Sequence, residues 1–212
     1  MCRTIQGRDN SKQEGKWHEE LSTILSVPFW DACHHFVDRI KNNNILKYFQ
    51  YQILRGSLKT NAIVCHFVAI VPATCSFGCQ MTETCSHLFW HCQHSAYFWT
   101  ELRNLFNVIL NIPTTFSVTE VLFGDHHQAT DSVKNTLMLV GKKYIWVQKF
   151  RRLIPSLIGF IKYLLQYLET LKVVYCIKNK TNIFDDQWNN TVVCLQDYLS
   201  ENEPPGPEDA PP

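Results

Sequence analysis

The sequence predicts a mainly α protein, a helical bundle that carries one small zinc knuckle of the form C-x3-C-x7-H-x4-C. Three observations predict it. Apolar residues recur at helical intervals along most of the 212 residues, proline, glycine and asparagine fall between those runs, and Cys75, Cys79, His87 and Cys92 crowd into one short window. With 45% apolar residues and a length near that of one domain, the chain has enough to bury a core, and thirteen phenylalanines and six tryptophans are its natural filling.

The elements follow in order. Residues 17–25 form a short helix that Pro28 ends, and Pro28 itself opens the next one, through Lys41, with Phe29, Cys33, Phe36, Val37 and Ile40 as its apolar stripe. Asn42, Asn43 and Asn44 make a turn. Residues 45–55 and a shorter piece over 62–70 lead to the knuckle, which Pro72 introduces. From His87 a long helix runs to about Asn111, with Phe98, Leu102, Leu105 and Ile109 on one face, and Pro113 stops it. A minor helix over 117–122 exits at Gly124 and Asp125. Asp131 is the N-cap of a helix through Phe150, and Pro155 opens the final long helix. There Leu157, Ile161, Leu164, Leu168 and Leu171 follow a seven-residue repeat, a core seam unless that face is left uncovered. Lys162 and Glu169 exclude a membrane span.

The four residues of the window supply three thiolates and an imidazole to one point, the ligand set of a closed tetrahedral structural zinc site, and soft sulfur disfavours hard cations. Gly78 permits the positive φ that folds a short loop back toward the ion. His87 and Cys92 flank the apolar run 88–90 and mark the first turn of a helix. Cys85, His91 and His94 share the window and stay open as replacement ligands, with solvent-side positions as the expectation. No ligand position is left for water, so hydrolytic chemistry is not expected, and Glu83 reads as a solvated loop acid. The other cysteines, Cys2, Cys33, Cys65, Cys176 and Cys194, read as free thiols in a reducing compartment, since no apolar leader follows Met1.

The stretch Glu83-Thr84-Cys85-Ser86-His87-Leu88-Phe89-Trp90-His91-Cys92, followed by Tyr97-Phe98-Trp99, closely resembles the zinc-binding region at the C-terminal end of reverse transcriptases from long interspersed (non-LTR) retrotransposons. The likeness extends upstream through Lys16-Trp17-His18-Glu19-Glu20-Leu21 and residues 46–54, where Leu58-Lys59-Thr60-Asn61 stands for the family's L-P-T-N turn. Downstream it includes Val121-Leu122-Phe123-Gly124-Asp125 and residues 155–172, as in fish-type elements. In all it covers about residues 16 to 172. Many members have two residues between the first cysteines where this chain has three. The polymerase and endonuclease domains that precede this region in the family do not fit within these 212 residues. The resemblance implies zinc as cofactor and contact with the element's RNA or the target DNA.

Charge is segregated. Residues 185–212 carry seven acids and no lysine or arginine, so removing them from the net +1 leaves +8 on the body. Residues 132–152 contain six cations and no acid, and Lys142, Lys143, Lys149, Arg151 and Arg152 are the candidate phosphate contacts, with exposed Trp or Tyr stacking on bases. The same cations also suit the solvated face of an amphipathic helix. Neither His34-His35 nor His126-His127 has a carboxylate motif around it, and Phe184-Asp185-Asp186 lies after the zinc region, where the family has no catalytic aspartates. No glycine-rich phosphate loop, nucleophile elbow or Ser-His-Asp grouping is present, so no enzyme, no catalytic residue and no small-molecule substrate are expected.

The resulting organisation is a flexible N-terminus (1–15), the helical zinc-binding region (16–112), a C-terminal helical segment (113–180) and an acidic, Pro-rich, largely disordered tail (181–212). The expected function is a zinc-stabilised module binding RNA or target DNA, intracellular (nuclear or cytoplasmic) and neither secreted nor membrane-bound. The alternative is a zinc-stabilised helical domain for protein partners, or a retroelement fragment without a function.

Overall fold

The computed structural model describes residues 11–40, 43–108, 113–130 and 132–202. Its helices are α1 Ser11–Leu21, α2 Val27–Arg39, α3 Asn44–Leu54, the single turn α4 Asn61–Val64, α5 Gln93–Val108, α6 Val118–Phe123, α7 Val133–Arg151, α8 Leu157–Ile177 and α9 Thr181–Asn202, with a π-helical turn at His87–His91. The described residues form no strand; one isolated antiparallel bridge, Thr74 with Thr82, closes the metal loop. The mainly α class expected from the sequence is what the chain adopts.

Capping residues set most helix starts. Ser26 accepts from the Phe29 N–H with Pro28 in the first turn of α2, Asn43 accepts from Leu46 N–H at α3, and Ser156 accepts from Gly159 N–H at α8. Ser117 and Glu120 form a reciprocal capping box on α6. Ser132 caps α7, accepting from Asn135 N–H. Asp131, expected as that cap, lies outside the described residues, as do Lys41, Ile109, Asn111, residues 1–10 and residues 203–212.

One continuous core joins helices from both sides of residue 112. Its centre is aromatic: Phe123 receives Trp17 and Trp30 edge-on at 5.0 and 5.4 Å, while Phe98, Tyr144 and Phe160 meet at 5.2–5.9 Å. The Trp17 Nε1–H donates to Leu54 O at 3.0 Å, so this indole is buried without an orphan donor. The α8 seam Leu157, Ile161, Leu164, Leu168 and Leu171 is buried throughout. No described helix is long and apolar enough to cross a membrane.

Two expectations about the ends are corrected. Ser11 to Gly15 belong to α1 rather than to a flexible arm. Residues 181–202 are not a disordered tail but the 22-residue α9, packed along α8. The reason is a helical stripe of Phe184, Trp188, Thr191 and Leu195, all buried, with Asp186, Asp197 and Glu201 on the solvent side. Asp185 pairs with Lys172 at 3.4 Å, an exposed bridge of small weight. Summed acidity hid an amphipathic helix.

Candidate metal centre

The loop between α4 and the π-helical turn brings Cys75 and Cys79 to one side of a point and His87 and Cys92 to the other. Their four ligand atoms lie within 4.8 Å of one another. Cys75 Sγ is 3.8 Å from Cys92 Sγ, Cys92 Sγ is 4.0 Å from Cys79 Sγ, and Cys79 Sγ is 3.1 Å from His87 Nε2. A tetrahedral ion with metal–sulfur bonds of about 2.3 Å spaces its sulfurs roughly 3.8 Å apart, so the donor set is spaced to hold one metal ion. All four residues are buried or half-buried.

Local backbone chemistry builds each half. Gly78 adopts φ +83°, as the sequence requires of it, and Gln80 follows at φ +64°; the Gly78 N–H returns to Cys75 O at 3.1 Å and the Phe77 N–H points at Cys75 Sγ at 3.4 Å. The second half departs from the expected α-helical turn. Five residues at about 100° each would leave His87 and Cys92 roughly 140° apart around an α-helix. Widening to a π-helical turn, closed by Cys92 N–H to His87 O at 2.7 Å, brings both into the one four-residue cluster. Carbonyls released by the widening are recovered by side chains: Ser95 Oγ donates to Leu88 O and Trp99 Nε1 donates to Phe89 O, each at 2.6 Å.

The sulfurs are electrostatically uneven. Cys92 is lowered to about 5, first by the hydrogen bond from the Cys75 thiol and then by the N–H groups of His94 and Ser95, against its burial; Cys75 is raised in turn. Cys92 directly precedes α5, where backbone N–H groups and the helix dipole favour a thiolate ligand. Of the three residues left open as substitutes, Cys85 is buried rather than solvent-facing, with its thiol pushed up by burial. His91 is exposed and His94 half-buried, edge-on to Phe77 at 6.3 Å; none of the three joins the cluster.

Glu83 is also corrected. It is 0% exposed and organises the loop: Oε1 accepts from Asn61 N–H at 2.9 Å and from the Lys149 ammonium at 2.5 Å, and Oε2 accepts from Ser76 N–H at 2.7 Å. Lys149 donates as well to Asn61 Oδ1 at 2.6 Å, and Asn61 Nδ2 donates to Thr74 O at 2.8 Å. One buried ion pair therefore ties the metal loop to α4 and α7. Reasoning from sequence missed it because Lys149 is 66 residues away and nothing distinguishes Glu83 from a solvated acid.

No protein-family model and no curated protein matches this chain.

The five candidate phosphate contacts do not lie on one surface. Lys149 is 6% exposed and committed to Glu83. Lys142 is 1% exposed, its ammonium donating to Gln50 Oε1 and Leu122 O at 2.5 and 3.1 Å. Neither is available to phosphate. Lys143 is half-buried with its ammonium 4.9 Å from the Phe49 ring centroid, and Arg151 and Arg152 are exposed. The Cys33 thiol, pushed up by burial, sits 3.4 Å from His126 Nε2, and burial lowers His126. That pair offers no thiolate at neutral pH.

Two measurements check this arrangement. Lys149→Met leaves Glu83 as an unpaired buried charge and is expected to cost about 3–5 kcal/mol in urea unfolding of the metal-loaded protein. Burial lowers Lys142 to about 7, against partial compensation from Cys85 and Cys33. The unfolded chain keeps this lysine protonated up to about pH 10.4, so between pH 7 and 10 it binds more protons than the folded chain. Its contribution therefore makes stability rise with pH across that window, by at most about 1.4 kcal/mol per unit. Urea midpoints at pH 7 and 9 should climb in the wild type relative to Lys142→Met.

Proposed function

We propose that the chain is a zinc-stabilised module that binds single-stranded nucleic acid, the element RNA or the opened target DNA, as the resemblance to retrotransposon reverse transcriptases implies. Zinc is the ion that a buried set of three thiolates and one imidazole suits, and with four protein donors its role is to hold the fold. His87 and Cys92 would fix the start of α5, and Cys75 and Cys79 the loop against it. Catalysis has no part in this reading, because every donor is spent on the ion.

The observation that carries the nucleic-acid reading is the surface at the C-terminal end of α7. Phe150 is 67% exposed and meets the half-buried Trp146 edge-on at 5.0 Å, next to the exposed Arg151 and Arg152 and one helical stretch from Lys143. Aromatic faces beside cations bind single strands by stacking and phosphate neutralisation without reading sequence. Lys143, Arg151 and Arg152 take the phosphate role here, and Lys142 and Lys149 serve the interior instead.

A second reading, a surface for a protein partner, has its own support in exposed apolar residues: Phe67, Val68 and Ile70 after α4, and Leu153 and Ile154 after α7.

Metal analysis of purified protein is expected to find one zinc per chain, lost in Cys79→Ser together with far-UV helicity, since binding energy of such an ion is folding energy. Helicity that survives without metal would remove the structural role. For nucleic acid, filter binding of single-stranded RNA across a salt series is expected to lose about 2 units of log–log slope when Lys143, Arg151 and Arg152 are changed to Ser, at about 0.7 per phosphate. Phe150→Ala should cost about 1–3 kcal/mol. A slope that does not move favours the protein-partner reading.

A further inference from the structure

The most apolar ten residues of the sequence, 62–71, read A-I-V-C-H-F-V-A-I-V, and none of them is buried. Residues 66–70 are all exposed, Phe67 at 77% and Ile70 at 91%. They form the turn that leaves α4 ahead of the metal loop, and consecutive side chains so open to solvent make it a projecting apolar tip.

The chemistry of this tip suits a lipid surface. Residues 61–82 contain no Asp, Glu, Lys or Arg, and residues 39–82 contain no acid, so no ion in the turn would have to be desolvated and none repels anionic headgroups. Its backbone donors are satisfied in advance. The N–H groups of residues 62–68 and of Val71 all donate to protein carbonyls, those of Phe67 and Val68 to Val64 O at 2.9 Å each, as a chain segment entering hydrocarbon requires. A cation marks the rim: the exposed Lys59 places its ammonium 5.5 Å from the Phe67 ring centroid. The base of the tip is fixed as well. The N–H groups of Asn61 and Ala62 both end on Glu83, and Asn61 Oδ1 accepts from Lys149, so the buried ion pair holds the turn in place and docking costs little further ordering. A protein interface takes about 20–30 residues a side, whereas a bilayer asks no matching shape of these few.

We propose that the turn over residues 66–70 docks the chain peripherally on an anionic bilayer, with Phe67, Val68 and Ile70 entering the acyl boundary and Lys59 lying at the level of the headgroups. The contact is insertion of a tip, and no described helix is long and apolar enough to span the membrane. It uses none of the α7 residues of the nucleic-acid reading and does not depend on that reading.

Co-sedimentation of the zinc-loaded full chain with phosphatidylcholine vesicles, prepared with and without phosphatidylserine, tests the idea. Phe67→Ser/Ile70→Ser is expected to weaken partition into the serine-lipid vesicles by at least about tenfold while helicity and zinc content stay unchanged. Lys59→Gln should weaken it about fivefold. Ile70→Trp should add a fluorescence component that brominated lipid quenches. Attraction of the exposed Arg151 and Arg152 alone would survive the double substitution, so binding retained there overturns the proposal. Absence of partition at low salt or equal partition into the two vesicle types would overturn it too, and self-association that Phe67→Ser/Ile70→Ser abolishes, without vesicle binding, would assign the tip to a second copy of the chain instead.

Discussion

A buried carboxylate holds the candidate metal loop to the rest of the protein. Glu83 lies between the candidate ligands Cys79 and His87, and its two oxygens collect a backbone N–H from each of Asn61 and Ser76 and the ammonium of Lys149. Such a group is costly to bury alone and stays only because each oxygen is hydrogen-bonded. The consequence is geometric. The loop buries its few apolar side chains, Cys75, Phe77 and Cys85, in the core, and the ion pair adds a polar anchor at the loop's middle. Cys75 and Cys79 thereby meet His87 and Cys92 at a distance that the loop alone would not set. Glu20, from α1, extends the same logic by accepting the Ser86 N–H at 2.7 Å just before the π-helical turn.

The wide turn is the second half of the device. Ordinary helical spacing would send His87 and Cys92 to different faces, and the sequence contains no residue that announces a π-helical turn. What stabilises it lies further on, in the Ser95 hydroxyl and the Trp99 indole that take up the displaced carbonyls. The four candidate ligands, which the fold does bring together, were legible from their types and intervals because coordination chemistry constrains both. The turn was not, because its stability rests on partners from the following helix that look, in sequence, like ordinary helix residues.

The same contrast runs through the fold. Helix periodicity, Pro28, Pro155 and the asparagine turn over 42–44 identify α2, α3, α6, α7 and α8 to within a few residues, since these signals are local. The failure at α9 has a physical cause of a different kind. Composition averages over a window, and seven acids with five prolines in residues 185–212 mask the helical stripe near its start. Yet Phe184, Trp188, Thr191 and Leu195 stand three and four residues apart, and one such stripe against α8 suffices to order a helix whose other face is charged. Position, not sum, decides.

Charge counting in α7 meets the same limit from the other direction. Six cations without an acid in residues 132–152 read as one basic face, but a helix wrapped by neighbours on several sides has little free face to offer. Lys134 is held by Glu120 and Asp125 at 2.6 and 2.9 Å, Lys142 by two neutral acceptors, and Lys149 by Glu83. Half the apparent basicity of the segment is therefore spent inside the molecule. On the proposed nucleic-acid reading, a strand approaching α7 would meet fewer charges than the sequence advertises, and the aromatic rings of Trp146 and Phe150 would carry more of the contact. Stacking is less sensitive to salt than phosphate neutralisation, so on the proposed reading the salt dependence would come from Lys143, Arg151 and Arg152 alone, and the affinity left at high salt from the rings.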